Sequence, residues 1–238
     1  MKKFHHIGIP THQKRDGEVH LPELKLSYHT SGDNPYGTLW IRYDEDSDVP
    51  DILKNKTYVA FEVDDIDRAI ENEDVISSPK ESLPGVKTAL IKVVGAPVMF
   101  LQIDEDAPRN GFTKNLVETG GKNLTYHHTG LPSDASWENE TKVPHLKLAY
   151  LPGKYNEYGV EWLRFEEGNE NPDIIKYIPH VAFEVDDIDQ AIVGEKVIYH
   201  SGRGTPGIIV AMIEVNGFSI EFLELDRSIV GDQYDSGH

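Results

Sequence analysis

Apolar and β-branched residues of this chain fall in short clusters between turn signals, not at helical spacing, and the same series of clusters occurs twice. Each series opens with a strand-like run, FHHIGI (4–9) or YHHTGL (126–131), followed by a polar stretch without helical periodicity. Next come LKLSYHT (24–30) and TLWIRY (38–43), matched later by LKLAYL (146–151) and VEWLRF (160–165). Bounded by SGDNPYG and PGKYNEYG, these runs predict paired strands. TYVAFEV (57–63) and HVAFEV (180–185) alternate apolar with small or polar residues and run into DDIDRAI and DDIDQAI. An Asp there is expected to cap a short helix by accepting from its first free N–H groups. Two further strands close each series, with tight turns predicted at Gly95 and at Asn216-Gly217, since Asn-Gly tolerates positive φ at both central positions.

Residues 4–104 repeat as 126–226 at a constant offset of 122 (126 − 4), without a gap. Roughly four in ten aligned positions are identical, the mark of a duplicated unit. Two domains follow: 1–104, then a Pro-, Gly- and charge-rich linker at 105–122, then 123–238. The tail after Asp226 reads as frayed.

Composition narrows the partners. The 238 residues are 38% apolar, enough for two ordinary cores. A net charge of −18 argues against nucleic-acid or anionic-membrane partners, which need a basic face. No cysteine is present, so a metal would rest on His, carboxylate, amide or Tyr ligands. MKKFHHIGIP does not read as a signal peptide and no apolar run approaches the ~20 residues of a membrane span, so a cytoplasmic protein is expected.

The copies differ where chemistry would sit. In the second, His128, Glu161, His180 and Glu221 are placed as metal ligands on the first, fourth, fifth and eighth strands. Subtracting 122 gives His6, Leu39, Tyr58 and Met99 in the first copy, so three of the four are replaced together. Two imidazoles and two carboxylates suit one divalent ion, Zn, Ni, Co, Mn or Fe. Tyr58 and Met99 are expected to fill the former site by packing. By strand alternation His5 and His127 should face away from their neighbours His6 and His128. Arg42 and Arg164, present in both copies, are expected to bridge to the Asp-Asp helix start.

HxG on the first strand, the HVAFEVDDID segment and the terminal IEFLE resemble the vicinal oxygen chelate family, which includes glyoxalase I, methylmalonyl-CoA epimerase, extradiol dioxygenases and antibiotic-resistance proteins. The resemblance covers about 200 residues and implies an α+β fold: tandem glyoxalase-like domains, each of two βαβββ-type modules curled around a site. With only 33 residues between His128 and Glu161 (161 − 128), the first helix of that module should be shortened or lost. The His-Glu-His-Glu order implies an isomerase, epimerase or lyase acting on a small oxygen-rich substrate through an enediolate. A metal ion would act as Lewis acid and Glu221 or Glu161 as base. Alternatives are a small-molecule binding protein and an Fe(II) dioxygenase. His145, His200 and Arg203, which replace Glu23, Ser78 and Glu81, are the candidate contacts to an anionic substrate. The repeats are expected to form an intramolecular pseudo-dimer within a monomer or homodimer. Exchange of modules between the copies, which would join His6 to His180 and Glu221, is the less favoured arrangement.

Overall fold

The computed structural model describes residues 2–30, 34–109, 111–119, 121–153, 156–203 and 205–231. The chain divides into two compact units, Met1–Lys122 and Asn123–His238. Eight strands build the first: β1 (Lys2–Pro10), β2 (Val19–Leu21), β3 (Leu26–His29), β4 (Thr38–Tyr43), β5 (Tyr58–Val63), β6 (Val75–Leu83), β7 (Val86–Val93) and β8 (Ala96–Ile103). The second repeats them as β9 (Thr125–Pro132), β10 (Thr141–Val143), β11 (Leu148–Leu151), β12 (Val160–Phe165), β13 (His180–Glu184), β14 (Val197–His200), β15 (Ile208–Val215) and β16 (Phe218–Leu225).

Each unit is one mixed sheet of order β2-β3-β4-β1-β5-β8-β7-β6, or its counterpart β10-β11-β12-β9-β13-β16-β15-β14. Two four-strand modules therefore meet at an antiparallel seam, β1 on β5 and β9 on β13, and within each module the first strand pairs in parallel with the last. This is the tandem glyoxalase-like arrangement. The second module of each unit keeps a one-turn helix, Ile66–Ala69 or Ile188–Ala191. Its start follows from local chemistry: Asp65 accepts from the Arg68 N–H at 3.1 Å and Asp187 from Gln190 at 3.0 Å. In the first modules, residues 11–18 and 133–140 are not helical. There the expected helix is lost.

Both predicted hairpin turns form, with Val94 and Gly95 at φ 48° and 84° and Asn216 and Gly217 at φ 55° and 82°. Alternating residues split between two faces. Val59, Phe61, Val181 and Phe183 are buried on one face, while Tyr58 and Ala60, or His180 and Ala182, are buried on the other.

Three expectations need correction. Residues 105–122 belong to the first unit and are not a free linker: Phe112, Thr113 and Asn115 are buried, and the Asn115 amide donates to the Phe4 carbonyl at 2.9 Å. One buried aromatic outweighs a polar, Gly-containing composition. The tail is not frayed at its start, because Arg227–Val230 forms a helical turn capped by Asp226, Val230 is buried, and Arg227 pairs with Glu184 at 2.5 Å. Residues 232–238 lie outside the described residues. Arg42 and Arg164 pair with Glu18 and Glu140, the latter at 2.6 Å, instead of the Asp-Asp helix start. Glu18 and Glu140 are themselves matched positions (18 + 122 = 140) in an otherwise divergent stretch, and a partner lying on a loop escapes strand periodicity.

Candidate metal centre

All four candidate ligands of the second copy come from one sheet: His128 on β9, Glu161 on β12, His180 on β13 and Glu221 on β16. The register explains their convergence. Gly130 on β9 is opposite both His180 on β13 and Glu161 on β12, while Ala182 on β13 pairs with both His128 and Glu221. Small residues thus occupy the positions between the ligands. A Cβ on Gly130 would lie 2.1 Å from His180 Cε1, so only glycine admits the imidazole there. Gly8 does the same for Tyr58 in the first unit, where a Cβ would come within 2.3 Å of the phenol ring. The glycine of the HxG signature therefore leaves the space that the fifth-strand side chain, His180 or Tyr58, occupies.

The His180 Nε2 lies 2.9 Å from the Glu221 Oε2 and 3.2 Å from His128 Nε2. His128 Nε2 is 3.4 Å from Glu221 Oε2 and 3.8 Å from Glu161 Oε1. Ligand atoms held about 2.1 Å from one ion lie about 3.0–3.4 Å apart in octahedral or tetrahedral geometry. The His128–His180–Glu221 trio matches that spacing, and its ligand atoms all lie within 4.8 Å of one another. It is the one such group among the described residues. Glu161 stands slightly outside, with its Oε2 accepting a long 3.4 Å hydrogen bond from the Gly153 N–H.

Electrostatics sharpen the difference between the carboxylates. Burial would raise the Glu221 pKa, but hydrogen bonds from His128 and His180 hold it far below the usual carboxylate range. For Glu161 burial prevails over the attraction of His128, and the pKa rises. Burial would lower His128, yet Glu161 and Glu221 reverse it and lift the pKa to about 8. The buried cluster thus favours protons on His128 and Glu161, and a divalent cation would replace them.

His127 does not face away as expected. The β9–β13 register shifts between His128 and Tyr126, and the resulting bulge turns His127 inward, so that its Nδ1 is 2.8 Å from His128 Nδ1. The first unit repeats the bulge and the contact, with His5 and His6 at 2.8 Å. There the tautomers are fixed. The Thr113 carbonyl can only accept, so His5 Nε2 donates to it at 3.4 Å and His5 Nδ1 accepts from His6 Nδ1. His6 Nε2 then accepts from the Tyr58 hydroxyl at 3.0 Å. Burial, followed by repulsion from His5, holds the His6 pKa well below 6.5, while burial, followed by Tyr43, holds Tyr58 well above 10.0. The chain of neutral groups ends on a phenol where the second unit has His180. Phe112 covers the His6 ring at 5.1 Å, and Leu39 replaces the carboxylate. His6 is engaged within its own sheet, and the four-residue cluster assembles without exchange of modules.

The remaining candidates take no part in the hydrogen bonds and ion pairs given above for the cluster. His145 and His200 are exposed, and His200 Nδ1 accepts from the Gly202 N–H at 2.9 Å. Arg203 reaches Asp189 at 3.2 Å and Glu224 at 3.9 Å. Glu224 is three positions beyond Glu221 on β16, so it faces the other side of the sheet. Strand periodicity does not reveal the placing of Gly130 and His127 beside the cluster. Their signal was identity between the copies (8 + 122 = 130, 5 + 122 = 127).

No protein-family model matches the chain, and no curated protein is significantly similar to it. Among solved structures, it is similar to a variant of 4-hydroxymandelate synthase from Streptomyces coelicolor, at 12% identity and a TM-score of 0.44, over 94% of this chain and 93% of that one. It is also similar to methylmalonyl-CoA epimerase from Mycobacterium tuberculosis, at 16% identity and a TM-score of 0.20, over 72% of this chain and 88% of that one. At such identities the likeness concerns the fold alone. No helix among the described residues is long and apolar enough to cross a membrane.

Proposed function

We propose that the second unit is a divalent-metal-dependent enzyme of the glyoxalase type, acting as an isomerase, epimerase or lyase on a small oxygen-rich substrate. The convergence of His128, His180 and Glu221 within 4.8 Å carries this reading. These three would hold the ion and Glu161 would complete the set. Once bound, the ion supplies Lewis acidity to a substrate oxygen. Glu221, which accepts from both imidazoles in the metal-free cluster, is held as an anion and would join the two rings as the third ligand. Glu161, held only by one long hydrogen bond, is the freer carboxylate and serves as the base that takes a proton from carbon. His145 and Arg203 are offered as contacts to an anionic substrate, because their counterparts Glu23 and Glu81 line the cavity of the first unit; His200 is offered with them only for its nearness in sequence to Arg203.

A second reading has its own observation. The three closest ligands form a two-His, one-carboxylate set with Glu161 outside it, an arrangement suited to an Fe(II) oxygenase. Elemental analysis of protein purified without added metal, repeated on His180→Ala, tests the centre. About one ion per chain, lost in the variant, supports it, and two ions per chain refute it. Incorporation of solvent deuterium at a carbon acid without oxygen uptake supports the first reading. Oxygen uptake dependent on Fe(II) would move the assignment to the second.

A further inference from the structure

The degenerate face of the first unit is not closed by its replacement residues. Leu53, Leu90, Met99 and Phe112 wall a cavity of about 230 Å³ with Tyr58 in its lining. An apolar cavity of about 150 Å³ is enough to take a benzene ring. The lining also has a specific polar feature. Because the Thr113–His5–His6–Tyr58 chain runs in one direction, the Tyr58 proton is committed to His6 Nε2, and the phenol oxygen retains lone pairs for a hydrogen-bond donor. Glu23, Asp48 and Glu81 lie exposed in the lining against the single cation Lys80, so the entrance opposes anions. In the second copy Glu23 and Glu81 are replaced by His145 and Arg203, and the two faces differ in the charge they admit.

We propose that this cavity is a second, metal-free binding site, for a small uncharged and mostly apolar molecule whose one hydroxyl donates to Tyr58 Oη. An anionic head would meet Glu23, Asp48 and Glu81 against Lys80 alone, and to reach Leu53, Leu90 and Phe112 it would have to give up water at a cost of several kcal/mol. An apolar ring with a single alcohol packs on Leu53, Leu90, Met99 and Phe112 and matches the lone pairs left on the Tyr58 oxygen. This assignment is independent of any chemistry in the second unit.

Calorimetric titration of the full chain with benzyl alcohol, toluene and benzoate tests it. Benzyl alcohol is expected to bind at one site per chain, several-fold tighter than toluene, with benzoate not binding. Tyr58→Phe should remove the preference for the alcohol while leaving toluene affinity in place. Ser82→Trp, and Ser77→Trp as a second blocking variant, place an indole in the lining from partly buried positions on β6. Both should abolish binding, with circular dichroism and the metal content of the chain unchanged as the control for folding. Retained binding in folded blocked variants, benzoate binding as well as the alcohol, or no binding at millimolar concentration would each overturn the proposal.

Discussion

His127 Nδ1 lies 2.8 Å from His128 Nδ1, a contact created by a bulge in β9 and reproduced by His5 and His6 in the other unit. For His128 to present the Nε2 lone pair to an ion, its proton must sit on Nδ1, and the acceptor for that proton is His127. Partners of this kind typically contribute about 10–100-fold to metal affinity. His127→Phe is therefore expected to weaken binding by that range while His127→Asn, which keeps an acceptor, restores part of it. Competition against a chelator of known affinity measures both. Equal affinities for wild type and His127→Phe would show that the contact is packing alone.

Gly130→Ala should be more damaging than its size suggests. Its Cβ would meet the buried His180 ring at 2.1 Å, so the imidazole must leave its position. The expected result is loss of the ion together with about 1–3 kcal/mol of stability, the range for overpacking a closed site. Gly8→Ala makes the parallel clash with Tyr58 and should cost similar stability without changing metal content. Chemical denaturation combined with elemental analysis separates the two. Equal metal loss in both variants would sink the assignment of the centre to the second unit.

Much of the candidate site is legible in the sequence, because the duplication provides an internal reference. The four positions matched to 6, 39, 58 and 99, three of which change together, lie around one cluster. Hairpin turns and Asp caps were equally readable, since each depends on a few adjacent residues. What escaped has a common physical cause. A bulge breaks the two-residue period, so alternation alone puts His127 on the wrong face. The Phe112 segment and the Arg42–Glu18 pair depend on contacts distant in sequence, which neither composition nor periodicity encodes.

Metal binding should depend on pH through His128. Its pKa of about 8 in the folded metal-free protein lies above the ordinary 6.5. A raised folded-state pKa means that protonated His128 stabilises the metal-free fold fully below pH 6.5 and that this contribution, about 2 kcal/mol, is lost as pH rises through about 8. The ion must displace the same proton. Apparent affinity is thus expected to climb by about tenfold per pH unit up to about pH 8 and then level off. Titrations at a series of pH values, with thermal melts of the chelated protein alongside, check both trends. A metal affinity independent of pH across this range would exclude His128 as a protonated competitor.

The two carboxylates should separate by substitution. Glu221 is bound by His180 at 2.9 Å and His128 at 3.4 Å, whereas Glu161 approaches only His128, at 3.8 Å, and the Gly153 N–H. Glu221→Gln exchanges a carboxylate that anchors two imidazoles for a neutral amide, so metal affinity should fall by at least about 100-fold, equivalent to about 3 kcal/mol of lost interaction. Glu161→Gln removes the freer group and should leave about one ion per chain with affinity within about tenfold, while exchange of a carbon-bound proton falls by about 100-fold or more, the usual range for losing a general base. Metal analysis and deuterium exchange on the same preparations give both quantities. If Glu161→Gln kept full exchange activity while Glu221→Gln kept its metal and lost exchange, the roles would be reversed, with Glu221 as the base.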